Sequence, residues 1–326
     1  RLFAPRSRVS CSVARRKGGG KAVAGKKYKN KAYRSDVLAY NLMMLPGIAV
    51  LLIFSTAPLF GIIIAFQKFV PAKGMLGSEW VGLYNFAYML RIPDSFQVLK
   101  NTLILSVSKI VFNIIVSVLF ALLLNEVRSK VFRRTVQTIV YLPHFLSWVI
   151  LGSVFLNIFA LDGLVNNVLE TLGLERIMFT GSNVWFRPIL IFTDVWKEFG
   201  YGAIIYLAAL TSIDPTLYEA AAIDGANKYR QLRHVTLPGL IPTIALMATL
   251  NLGSILNGGF DQVYNMYNRL VYSSADIIDT YVYRMGIVDL QFSFGTAVGL
   301  LKSVVSLVLI SLSYFLADKF AGYRIF

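Results

Sequence analysis

The chain has 326 residues, of which 56% are hydrophobic and 15% charged, and carries a formal net charge of +15. Several of its runs reach about 20 apolar residues, the length that crosses a bilayer as a helix, so the expectation is an all-α, polytopic membrane protein and not a soluble domain. The excess charge does not point to nucleic acid as a partner, because most of it sits in one basic tail followed at once by an apolar run, as membrane topology requires.

Residues 1–37 read as a basic cytoplasmic tail and residues 38–326 as a six-helix transmembrane domain. From Arg1 to Arg34 there is no acidic residue, which suits a segment held near anionic lipid headgroups. Cys11 is the single cysteine and has no internal disulfide partner. The tail does not read as a signal peptide, since the apolar run beginning near Leu38 is too long for a signal core.

The first span covers Leu38 to Phe66, with Pro46, Pro58 and Gly61 as kink points. With the tail inside, it emerges outside into a polar connector, Gln67 to Lys100, rich in aromatic residues. The second span, Asn101 to Leu124, returns to a loop holding Arg128, Lys130, Arg133 and Arg134, a cytoplasmic signature. The third is expected as a single span from Thr135 to Ala160 with Pro143 inside it, followed by an outer segment, Leu161 to Phe186.

The fourth span, Arg187 to Thr211, holds Asp194, Lys197 and Glu198 in an otherwise apolar stretch. Ionised groups at membrane depth cost several kcal/mol unless paired or wetted, so they face a protein interior or an aqueous path. A local pair between Asp194 and Lys197, three residues apart, is one reading. The other places these groups, with Trp196 and Tyr201, at the outer mouth of a pathway.

Asp214 to Pro242 is a polar island between apolar spans. Asp214 suits an N-cap and Pro215 the first helical position. Tyr218, Glu219, Ala220, Ala221 and Ala222 continue a short helix that should stop at Asp224-Gly225, turn through Ala226 and enter a basic helix from Asn227 to His234. Leu237-Pro238-Gly239 and Pro242 are expected to break that helix. The fifth span then takes Leu240 to Asn257, a polar and aromatic loop covers Gly258 to Phe294, and the sixth span is Gly295 to Ala317, with Lys319 and Arg324 after it.

The set Glu219-Ala220-Ala221, Asp224-Gly225-Ala226, Pro238 and Pro242 resembles the EAA loop of the transmembrane subunits of bacterial binding-protein-dependent ABC importers, of the maltose type. Glu79 to Phe86, EWVGLYNF, resembles an element of sugar-importer permeases, as does Trp196 to Gly200. Phe260 to Asn268 is similar to the branch that imports complex, often acidic, polysaccharide fragments such as those of alginate or pectin. The resemblance implies a type I ABC importer permease fold in a bacterial cytoplasmic (inner) membrane with both termini cytoplasmic. It also implies that Tyr218 to Ala226 form a coupling helix on an ATPase. The implied partners are a second related permease, two ATPase subunits holding ATP and Mg, and an extracytoplasmic solute-binding protein.

No phosphate-cradling glycine loop is present, and the only histidines, His144 and His234, have no second metal ligand at helical spacing. No nucleophile, base and orienting acid assemble either, so the chain reads as a transport subunit without a catalytic site or cofactor of its own. Sugars are bound by aromatic faces and by amide or carboxylate groups that match paired hydroxyls. Candidates besides the fourth-span residues are Asn113, Trp148, Asn157, Asn251 and Asn257, then Phe260, Asp261 and Tyr264. A permease for another small solute, or a secondary transporter or channel not coupled to ATP, is the alternative.

Overall fold

The computed structural model describes residues 31–321. Cys11, Arg324 and the tail up to residue 30 lie outside them, as does the side chain of Lys319. The chain divides into two units, residues 1–57 and residues 58–326.

In the first unit, α1 (Lys31–Leu51) contains Pro46 and continues into a π-helical turn, Leu52–Thr56. The second unit opens in a 3-10 stretch ending at Phe66, and a two-stranded antiparallel hairpin follows, Gln67–Lys68 against Glu79–Trp80, enclosing α2 (Gly74–Gly77). Next come α3 (Tyr84–Arg91), α4 (Pro93–Glu126), α5 (Lys130–Tyr141), α6 (Trp148–Ile158) and α7 (Leu164–Thr171). The rest comprises α8 (Phe186–Thr211), α9 (Pro215–Ile223), α10 (Lys228–Gln231), α11 (Leu237–Leu252), α12 (Phe260–Met266), α13 (Tyr272–Ala275), α14 (Ile278–Tyr283) and α15 (Phe292–Ala321).

The chain is all-α apart from the hairpin, as composition implied. Among the described residues, four helices are long and apolar enough to cross a membrane: Ala39–Phe66, Pro93–Glu126, Lys228–Leu252 and Phe292–Ser313. The expected third span is not a single helix. Lys130–Phe145 and Trp148–Ile158 meet at 100°, so the count rises to five if the bent pair is one span. Pro143 ends the first arm in a 3-10 turn, and the hydroxyl of Ser147 accepts the Ile150 amide to start the second. The remaining expected span, α8, is 26 residues long; its three central ionisable residues keep it from being uniformly apolar.

The fifth span also differs from expectation. It runs from Lys228 to Leu252 without breaking at Pro238 or Pro242. A π-turn, Leu232–Thr236, shifts the hydrogen-bond ladder just before Pro238, whose missing amide falls in the first turn of α11.

Within the second unit α4 is the central strut. It contributes Leu105 to a cluster with Phe155, Phe186 and Leu190, and Val118, Ala121 and Leu124 to another with Ala203, Tyr206 and Leu240. Near its start, Val98 joins a third with Tyr281 and Phe294. Close approach of helices in a membrane needs small residues, since lipid supplies no hydrophobic drive. Gly202 of α8 provides one: a Cβ there would lie 2.7 Å from the Ser117 hydroxyl, which donates to the Phe199 carbonyl at 2.9 Å.

At Gly200 a Cβ would meet the Val140 carbonyl oxygen at 2.4 Å. Gly200→Ala is therefore expected to force α8 off the broken third span, costing about 1–3 kcal/mol. Thermal unfolding of the purified chain should show it, with Gly299→Ala, where a Cβ meets nothing within 4 Å, as the neutral control.

Candidate functional site

Between the first two clusters of α4, its stripe Ser106, Lys109, Asn113 and Ser117 faces α8, at the three- to four-residue spacing that puts side chains on one helix face. There α4, α8 and α11 line a cleft of about 300 Å³. Asp194, Glu198, Tyr201 and Tyr206 line it from α8, and Met247, Asn251, Ser254, Asn257 and Gly259 line it from α11 and the chain that follows.

Each cleft carboxylate is paired with a lysine. Lys109 lies 3.5 Å from Asp194, donates to the Gly258 carbonyl at 2.9 Å and bonds the Gln262 side-chain oxygen. Gln262 in turn donates to the Leu190 carbonyl at 2.7 Å and to Thr193 at 2.8 Å. The turn that presents these acceptors needs glycine: Gly259 has φ +86, and a Cβ there would sit 2.9 Å from the lysine nitrogen. The Asn113 amide nitrogen donates to Asp194 at 3.1 Å, whereas its oxygen and the Ser106 hydroxyl have no partner among the described residues.

Glu198 accepts from Lys197 at 2.8 Å and pairs with Nδ1 of His144 at 2.7 Å. Lys197 also donates to the His144 carbonyl at 2.8 Å, capping the arm that ends at the elbow of the third span. The His144 ring lies parallel to Tyr201 at 4.0 Å. The expected pairing of Lys197 with Asp194 does not occur: Asp194 is taken by another helix, and Lys197 turns towards the elbow.

The cleft thus collects Asn113, Asp194, Glu198, Tyr201, Asn251 and Asn257. It does not include the other candidates. Lys197 lies behind Glu198, 5.7 Å from the Trp148 ring, which packs on the core. Trp196 stands edge-on to Phe155, and Asn157 is exposed on α6. Phe260 and Tyr264 stack on each other at 5.3 Å and against Tyr283, beside exposed Asp261. Lys109, Ser106 and Gln262 were not singled out from sequence. A lone lysine midway along the apolar α4 was the available signal.

A second region is α9. Asp214 caps it, accepting the Thr216 amide at 2.9 Å. That bond holds the Asp214 carboxyl below its ordinary range. Because the folded group is the stronger acid, the cap is present above the usual carboxylate range and is lost as pH falls through the depressed value. The protection of the Thr216 amide, measured against its intrinsic exchange rate at each pH, should therefore fall on acidification, but not in Asp214→Asn.

At the other end the Ala226 amide bonds the Ala221 carbonyl at 2.8 Å and the Gly225 amide bonds that of Ala222 at 3.1 Å, a Schellman stop with Gly225 at φ +76. Tyr218 reaches Thr236 at 3.0 Å, tying α9 to the π-turn below α11. No residue of α9 is buried, and Glu219, Leu217 and Ile223 project from it. Pro238 and Pro242 lie in the first turns of α11. Among the described residues no group of three or more His, Cys, Asp or Glu side chains is placed to hold a metal.

A family model described as "Binding-protein-dependent transport system inner membrane component" matches residues 113–322. The chain is 44% identical over 290 residues to Protein LplB of Bacillus subtilis (strain 168), covering 89% of this chain and 91% of that one. It is also 44% identical over 303 residues to the polygalacturonan/rhamnogalacturonan transport system permease protein YteP of the same organism, covering 92% and 94%. Among solved structures, a bacterial alginate ABC transporter in complex with alginate pentasaccharide-bound periplasmic protein matches with a TM-score of 0.81 and 37% identity, over 90% of this chain and 99% of that one.

Proposed function

The chain belongs to the binding-protein-dependent transport system inner membrane components, and from that premise we propose that it is a permease subunit of an ATP-driven importer of oligosaccharides, polysaccharide-derived and acidic. The observation that carries this reading is the cleft between α4, α8 and α11, where amides, carboxylates and a tyrosine converge. Paired hydroxyls of a sugar are matched by such groups, and the free Ser106 hydroxyl and Asn113 oxygen are unspent hydrogen-bonding capacity beside them. The printed substrates of the relatives, a polygalacturonan and alginate, are uronate polymers and support the acidic class.

In this reading the chain sits in a bacterial cytoplasmic membrane with both termini inside. Residues 1–37 are a cytoplasmic tail, of which the part from Lys31 is already helical, and residues 38–326 are the permease domain. Loop 214–242 is its cytoplasmic coupling loop. The partners are a second related permease, two ATPase subunits that hold ATP and Mg, and an extracytoplasmic binding protein. Capped at both ends and without a buried side chain, α9 is the surface on which an ATPase docks, with Glu219 as its charged anchor. Closure of the ATPase pair would drive it as a rigid body and rock the cleft between inward and outward openings.

The test is reconstitution of the assembled importer in vesicles with its binding protein. Oligouronates should stimulate ATP hydrolysis and accumulate inside, and a cysteine at Asp224 should cross-link to an ATP-hydrolysing subunit. Uptake independent of ATP, or labelling of Asp224→Cys from outside the cell, would overturn the reading.

A further inference from the structure

Resting on the reading that the cleft passes an acidic oligosaccharide, we propose that Lys197 is a buried counter-charge that silences the Glu198 carboxylate of its wall. Glu198 then accepts sugar hydroxyls without repelling a polyanion.

The difficulty it resolves is electrostatic. Carboxylates are strong acceptors for sugar hydroxyls, yet a uronate chain brings a negative charge on every ring. In this cleft Glu198 faces the open space, with its side chain 32% exposed, whereas the side chain of Lys197 is only 8% exposed and takes no part in the lining. The Lys197 ammonium also donates to a fixed acceptor, the His144 carbonyl, at 2.8 Å. That bond keeps the cation from swinging out to trap a passing uronate as a salt. A lysine lining the path directly would bind the acid; a lysine behind a carboxylate cancels charge and leaves hydrogen bonding.

The pair is formed by neighbours on α8 that also hold the elbow of the third span, and it puts the acid towards the cleft and the base behind it. An uncompensated carboxylate about 6 Å from a uronate, at an effective dielectric constant of about 20, disfavours the acid on the order of 100-fold.

Lys197 also fastens the elbow, so its charge role must be separated from that structural one. The assembled importer in vesicles is given two probes, a trigalacturonate and the same trisaccharide with its carboxyls reduced to alcohols. Rates are normalised to liganded binding protein, which removes that protein's own preference. Lys197→Met is expected to lower the ratio of uronate to reduced-sugar transport about 100-fold, and Lys197→Met/Glu198→Gln to restore the wild-type ratio. Glu198→Gln alone, which leaves an unmatched cation, should shift the ratio towards the uronate and keeps the inference testable where Lys197→Met does not assemble. Equal loss of both probes in Lys197→Met, or a ratio that stays low in the double variant, assigns Lys197 to the elbow alone and overturns the inference. Wild-type transport of neither probe overturns the oligosaccharide reading itself.

Discussion

Gly225→Val is expected to weaken docking of the proposed ATPase subunits while leaving the membrane helices of the chain folded. Gly225 ends α9 at φ +76, and a Cβ there would meet nothing within 4 Å. The objection to valine is therefore conformational and not steric crowding by neighbours. The left-handed region costs an ordinary L-residue about 1–2 kcal/mol, and more for a β-branched one. Relief comes by abandoning the left-handed turn, which gives up the bonds from Gly225 to Ala222 and from Ala226 to Ala221 and re-aims α9. ATPase subunits retained on the tagged chain should fall by about tenfold or more, since each 1.4 kcal/mol is a factor of ten. Asparagine enters the left-handed region readily, so Gly225→Asn should keep most of the complex. Full retention by the valine variant would show that the angle of α9 is not what the ATPase reads.

Lys109→Met should be the most damaging single change in the cleft. It leaves Asp194 without its cation and also strips acceptors at Gly258 and Gln262 of their donor. Breaking a buried pair from one side costs about 3–5 kcal/mol, a large part of the roughly 5–15 kcal/mol that holds a typical domain folded. The expected result is a sharp loss of folded yield and of thermal stability in detergent. Lys109→Met/Asp194→Asn removes both charges and should recover most of the loss. If the double variant is as unstable as the single one, the ammonium matters as a clamp on the Gly258–Gln262 turn and not as a counter-ion.

The third span shows where local reading stopped short. Thr135 to Ala160 is apolar enough to be taken as one helix, and Pro143 alone suggests only a kink. The 100° elbow is held by Lys197 bonding the His144 carbonyl from α8, a contact between residues 53 positions apart. Likewise the spacing of Asp194 and Lys197 fits a helical pair, and only the packing of α4 on α8 supplies Lys109 as the competitor. The fifth span erred the other way. Two prolines suggested a break, but a π-turn absorbed the missing amide at Pro238.

What the sequence determined by itself was whatever depends on near neighbours: the all-α membrane class, the ends of α8, and the cap, stop and turn of α9. Asp214, Pro215 and Gly225 act within one or two turns, so their chemistry is already present in their order. The tertiary structure decided which polar groups share the cleft. A buried charge takes the partner that packing brings within a few ångströms, and for Asp194 that partner lies on a different helix, 85 residues earlier in the chain.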